Sequence, residues 1–269
     1  MYSLSRKQVK QYHKKGFLSP FRLWDKSETP AMQAMIEERF IYNIDKSVSD
    51  RNQFLTHPEL TELLKRPQLT DRIASILGED LFLWRVACFN KKPNDTNPKE
   101  VPWHQDRYSW PLEPMIACSA WLAVDDVDIH NCCIHVIPGS HRKIIPHIPG
   151  TDGQLFVEQA DPSFFDESTA IPLILRSGEF ALFNERLLHW SGINRSNRRR
   201  LGLAIRVLPP LVRVMEFDCE EHGLVQLRGG NPLNFNRLVV PKSTNNHIDI
   251  ENNTARTTAP EASKDVGNR

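Results

Sequence analysis

Residues 183–208 read FNERLLHWSGINRSNRRRLGLAIRVL. An apolar run closes at His189-Trp190-Ser191, turn formers follow at Gly192, Asn194 and Asn197, and a second apolar run fills 199–208. That punctuation predicts a strand, a tight return and a longer strand. Side chains alternate between the two faces of a strand, so only one or two of Arg198, Arg199 and Arg200 can point inward. A hairpin of this kind can set Arg200 beside His189 and Ser191, all facing one cavity.

Comparable short runs lie on either side: LFLWRVACF (81–89), MIACSAWLAV (115–124), CIHVI (133–137), IPLILR (171–176), GEFALF (178–183) and LVQLR (224–228). Short strands broken by Pro, Gly, Asn and Asp, with no helical period, predict an antiparallel sandwich or barrel. Before residue 79 the signals are helical. Ser5 and Gln8 make a capping box, and Gly16 supplies a stop. Thr29-Pro30 opens a second helix, Thr56 and Glu59 suggest a third, and Ile73, Ile76 and Leu77 ahead of Gly78 mark a fourth. The expected architecture is α+β: a single domain over 1–240, with a helical layer at 1–79 outside a barrel at 80–240. Residues 241–269 carry no aromatic and no apolar pattern, so they read as a disordered tail.

The chain has 269 residues, 34 basic and 33 acidic, for a net charge of +1. That balance argues against electrostatic capture of nucleic acid or an anionic membrane. No apolar stretch approaches the roughly 18 residues of a membrane span, and the opening residues lack the apolar core of a secretory signal. Five cysteines (Cys88, Cys118, Cys132, Cys133, Cys219) make no disulfide framework at this length, and the expected home is the cytoplasm.

The chemistry concentrates in Pro102-Trp103-His104-Gln105-Asp106-Arg107-Tyr108. On a strand, His104 and Asp106 share a face and Gln105 points away, the spacing of two ligands to one metal. His-x-Asp alone recurs by chance. With His189 it makes two histidines and a carboxylate, which leave open positions on the metal, the arrangement of non-haem Fe(II) oxygenases. A bidentate 2-oxo acid and dioxygen can fill them, and the far carboxylate of the acid calls for a buried arginine. His130, His135, His141 and His147 are more numerous but have no carboxylate or cysteine at ligand spacing, and read as non-ligands.

Four motifs in order carry a family resemblance: PWHQD (102–106), WLAVDDVD (121–128), IPGSH (137–141) and HWSGINRSNRRR (189–200). Together they resemble the phytanoyl-CoA dioxygenase family, Fe(II)- and 2-oxoglutarate-dependent oxygenases built on a double-stranded β-helix, a jelly-roll barrel. The resemblance implies Fe(II) held by His104, Asp106 and His189, with 2-oxoglutarate and dioxygen as co-substrates. It implies Arg200, eleven residues past His189, as the anchor of the distal carboxylate of 2-oxoglutarate, with Ser191 assisting. One departure is Cys132, which stands where the family's turn has glycine.

The implied reaction is hydroxylation of an unactivated C–H bond of a small molecule: a natural-product intermediate, an amino acid or an acyl derivative. Asp106 argues against halogenation, which needs that ligand position vacant. Desaturation, epoxidation or cyclisation, or a non-catalytic metal- or ligand-binding barrel, are the alternatives. Tyr108, Trp110 and Arg206 are the candidate substrate residues, Arg206 because it shares strand parity with Arg200. The segment 142–170, punctuated by Pro and Gly yet holding Leu155, Phe156, Phe164 and Phe165, is expected to be a flap over substrate or else part of the core.

Overall fold

The computed structural model describes residues 2–46, 48–215 and 223–242, so all but the first two residues of the expected tail lie outside the described residues. The helices are α1 (Arg6–Lys15), α2 (Thr29–Glu37), α3 (Pro58–Leu64) and α4 (Pro67–Leu77). Ser5 and Gln8 form the expected capping box on α1, and Gly16 ends it at φ 85°. Thr56 does not cap α3. His57 takes the N-cap position, while the Thr56 hydroxyl donates to the Gln53 carbonyl.

The strands are β1 (Phe17–Arg22), β2 (Leu81–Lys91), β3 (Val101–His104), β4 (Leu112–Glu113), β5 (Cys118–Ala123), β6 (His135–Val136) and β7 (His147–Pro149). They continue with β8 (Glu158–Ala160), β9 (Ile171–Pro172), β10 (Glu179–Asn184), β11 (His189–Ser191), β12 (Arg200–Leu208), β13 (Arg213–Val214) and β14 (Val225–Arg228). A six-stranded sheet runs β1-β10-β5-β12-β2-β14 and faces a four-stranded sheet β3-β11-β6-β9; every pairing within them is antiparallel. This is the jelly-roll barrel. Among the described residues no helix is long and apolar enough to cross a membrane.

The segment assigned wholly to helices contributes an edge strand, β1, whose Pro20 suits an edge because it lacks an N–H to donate. And β11 and β12 are not a hairpin: β11 pairs with β3 and β6, whereas β12 pairs with β2 and β5 in the other sheet. The Gly192–Asn197 turn region therefore crosses the barrel, and His189 and Arg200 come from opposite walls.

Strand parity explains the larger sheet. Leu201, Leu203, Ile205 and Val207 pack with Tyr12, Ile36, Leu60 and Ile73 of the helical layer. Ala204 of the other parity packs inside the barrel with Trp121, Phe183 and Val136. All nine residues of β12 are buried, so the strand reads as an almost unbroken apolar run. The residues that break it, Arg200 and Arg206, share parity with Ala204. Gly202 belongs to the same set, and a Cβ there would lie 2.3 Å from the Trp121 ring, so only glycine lets that indole cross the strand.

The turn ahead of β6 keeps a left-handed residue despite the lost glycine. Cys132 sits at φ 67° and donates its thiol to the Ile193 carbonyl, while Asn131 ties the loop to Asp126 and Arg199.

The segment 142–170 divides. Phe156 reaches the barrel interior, whereas Phe165 packs on Trp103 at 5.7 Å within a satellite cluster that includes Ile145 and Leu188. Phe164 is exposed. Phe165→Ala is expected to cost about 1–3 kcal/mol, less than a fully buried ring, and Phe164→Ala under about 0.5 kcal/mol, read by chemical denaturation.

Candidate active site

β3 ends on His104 and β11 begins on His189, and the two are direct cross-strand partners. Their ring centroids are 4.0 Å apart. Asp106 lies beyond the strand, at the start of a 3-10 turn (Asp106–Ser109) rather than within β3 as strand alternation had it. Gln105 keeps an extended backbone (φ −107°, ψ 124°), so Asp106 still returns to the His104 side. The ligand atoms of His104, Asp106 and His189 all lie within 4.8 Å of one another, and all three residues are buried.

The histidines are oriented alike. Each Nδ1 lies 2.8 Å from the carbonyl two residues earlier, Pro102 for His104 and Leu187 for His189. A carbonyl only accepts, so Nδ1 carries the proton and Nε2 turns its lone pair to the site. Burial, then the neighbouring His104, pushes the His189 pKa down to about 3, which keeps that imidazole neutral. Gln105 does face away. It bonds the Lys143 and Arg186 carbonyls and the Ile145 N–H, latching the loop after β6 against β3.

Burial works to raise the Asp106 pKa, but the Arg206 guanidinium at 3.0 Å outweighs it. The carboxylate is held well below its usual range. Ser119 donates to the same group at 3.3 Å. Arg206 thus faces the barrel, as its parity requires, and its principal partner is Asp106.

Arg200 closes the other end of the cavity. It is 1% exposed, its guanidinium carbon lies 4.6 Å from the Trp121 ring centroid, and its Nε and Nη1 have no partner. Burial pushes its pKa down to about 10, so it stays charged at neutral pH. A buried cation with unspent donors, lined by Ser191, Ile134 and Val101 and open toward His104 and His189, fits the distal carboxylate of a 2-oxo acid. The donor set at the other end fits Fe(II).

In front of His104 and Asp106 lies a cavity of about 350 Å³. Tyr108, Trp110 and Arg206 all line it. Trp110 packs edge-on against Trp84, and Tyr108 stacks on His147 and bonds Glu158 at 2.9 Å. Phe156, from the segment expected to cover substrate, lines it too; Arg51 and Arg85 also line it and were missed. Arg85 left a signal: it is the single charge inside LFLWRVACF. Arg51 left none, since it sits on a loop of the helical layer.

The chain is similar to known proteins. The phytanoyl-CoA dioxygenase (PhyH) family profile matches residues 12–202. A probable phytanoyl-CoA dioxygenase of Caenorhabditis elegans is 27% identical over 220 residues, 76% of this chain and 70% of that protein. Ectoine dioxygenase of Bordetella bronchiseptica is 29% identical over 160 residues, 53% of this chain and 51% of that protein. The structure of CytC3 with Fe(II) and alpha-ketoglutarate has the same fold, with a TM-score of 0.67 at 21% identity over 88% of this chain and 93% of that one. The chain spans about half the length of several curated relatives it matches. It belongs to the phytanoyl-CoA dioxygenase family, a family of Fe(II)- and 2-oxoglutarate-dependent oxygenases.

Proposed function

We propose that this protein is an Fe(II)- and 2-oxoglutarate-dependent dioxygenase that hydroxylates an unactivated C–H bond of a compact small molecule. The observation that carries the reading is the meeting of His104, Asp106 and His189 beside a cavity that the two histidines share with Arg200, whose Nε and Nη1 have no partner. A metal- or ligand-binding barrel without catalysis has no use for that second feature. When bound, iron with 2-oxoglutarate and dioxygen supplies the oxidising chemistry.

The chain's own residues hold and shield. His104, Asp106 and His189 take one side of the metal and leave the other to co-substrate and oxygen. Arg206 keeps Asp106 ionised, and Arg200 with Ser191 receives the distal carboxylate. Tyr108, Trp110 and Phe156 form walls in front of the metal, and the chemistry needs no side chain as a general base. Asp106 occupies the ligand position a halide would need, which favours hydroxylation. A cavity of about 350 Å³ is near the small end of the ~300–1,000 Å³ range for ligand pockets, and suits an amino acid or compact natural-product intermediate. Such substrates fit the cytoplasmic location we propose.

Phe156 lies edge-on to His104 at 4.8 Å and lines both cavities. Phe156→Ala is expected to admit water and uncouple 2-oxoglutarate decay from product by about 3–10-fold, read as the succinate-to-product ratio. The proposed function is tested by a succinate-release screen over compact acids, amino acids and cyclic solutes. At least one should raise succinate formation with a matching hydroxylated product. An Fe(II)-loaded protein that never consumes 2-oxoglutarate sinks the proposal.

A further inference from the structure

Lys91 ends β2 directly opposite Arg200 on β12. Like charges facing each other across an antiparallel pair repel, so this register is costly unless an anion joins them. Among the described residues neither cation has a carboxylate ion-pair partner, and Glu100 is the acidic group whose charge reaches Lys91. Burial and the neighbouring Arg200 push the Lys91 pKa down to about 7, and an anion bound beside the two cations would favour its protonated form.

The ammonium is fully engaged. Its Nζ donates to the Ser191 carbonyl at 2.8 Å, to the Ser191 hydroxyl oxygen at 2.9 Å and to the Gly192 carbonyl. Asn194 holds the Lys91 carbonyl at 3.0 Å, fixing the stem. Three acceptors use three N–H bonds, so Lys91 has none left for a ligand. What it does instead is make the Ser191 oxygen an acceptor, which leaves the hydroxyl proton free to point into the pocket toward Arg200.

We propose that Lys91 is a positioning residue for the co-substrate: it fixes the Ser191 hydroxyl as a donor to the distal carboxylate and, with Arg200, makes the pocket select dicarboxylic over monocarboxylic 2-oxo acids. The inference rests on the 2-oxoglutarate reading above. Lys91 touches no metal ligand, so its effect falls on co-substrate binding and leaves the metal alone.

The test compares Fe(II)-loaded wild type, Lys91→Met, Lys91→Arg and Lys91→Gln without oxygen, following the visible band of a metal-chelated 2-oxo acid. Each is titrated with 2-oxoglutarate and with 2-oxopentanoate, which lacks the distal carboxylate. Lys91→Met should weaken 2-oxoglutarate by about 10–100-fold, because the Ser191 hydroxyl is no longer held as a donor and a buried charge beside the distal carboxylate is removed, and 2-oxopentanoate by less than about twofold. With oxygen, its KM for 2-oxoglutarate should rise while kcat at saturation stays within about twofold, and Lys91→Arg should recover part of the affinity. Should Lys91→Met not fold, Lys91→Gln must show the same selective loss. Unchanged 2-oxoglutarate affinity in the folded variant, or equal weakening of both acids, overturns this inference alone. No band from wild type with either acid overturns the co-substrate reading beneath it.

Discussion

Replacing His189 with alanine is expected to lower 2-oxoglutarate turnover by more than about 100-fold and to prevent retention of Fe(II) through gel filtration. Changes to groups that merely orient a ligand already cost about 10–100-fold in metal affinity, and removing a ligand costs more. No neighbour can substitute: His189 is buried between Phe183 and His104, and the nearby Ser191 and Arg200 are not ligands of the Fe(II) type. The same result is expected for His104→Ala. Metal content by elemental analysis checks it, and a variant holding stoichiometric iron with near-normal coupled turnover removes His189 from the site. Stability should change less than activity, since the alanine also relieves a neutral imidazole of its buried, crowded position.

Arg200→Met is expected to raise the 2-oxoglutarate requirement by about 2–4 kcal/mol in binding free energy, the range for truncating one partner of a buried charged contact. Methionine fills the space above Trp121 without leaving a buried cation unpaired. The melting temperature should therefore hold or rise even as affinity collapses. Arg199→Met is the control. Its guanidinium bonds Asp125 at 2.8 Å and also bonds Glu37, on the helical side of β12, so it should leave co-substrate affinity unchanged. The opposite ranking, with Arg199 controlling affinity, would put β12 one residue out of register and turn its whole apolar set to the wrong face.

Parity along β12 was readable because the strand is buried on both faces and its only charges had to share the cavity side. The N-terminal cap at Ser5 was readable because it is local chemistry between residues three apart. Pairing was not: the apolar run at 183–191 says a strand exists and nothing about which neighbour it chooses, so β11 looked like the hairpin partner of β12 when it pairs with β3 and β6. β1 escaped notice because a six-residue strand containing proline has no periodic signal. The three candidate ligands meet despite the mistaken strand end at His104, since one extended residue at Gln105 suffices to return Asp106 to the His104 side. Lys91 was hidden for another reason. Its role exists only across the barrel, where the turn after β11 brings two carbonyls and a hydroxyl to its ammonium.

The most direct test of the centre is an anaerobic titration of the metal-free protein, first with Fe(II) and then with 2-oxoglutarate. A 2-oxo acid chelating Fe(II) between the three protein ligands and Arg200 gives a weak visible charge-transfer band. Wild type should develop that band at one equivalent of metal, His189→Ala should show none, and Arg200→Met should need far more 2-oxoglutarate to reach it. A wild-type protein that binds Fe(II) yet shows no band at any 2-oxoglutarate concentration contradicts the assignment of this cavity to iron and a 2-oxo acid.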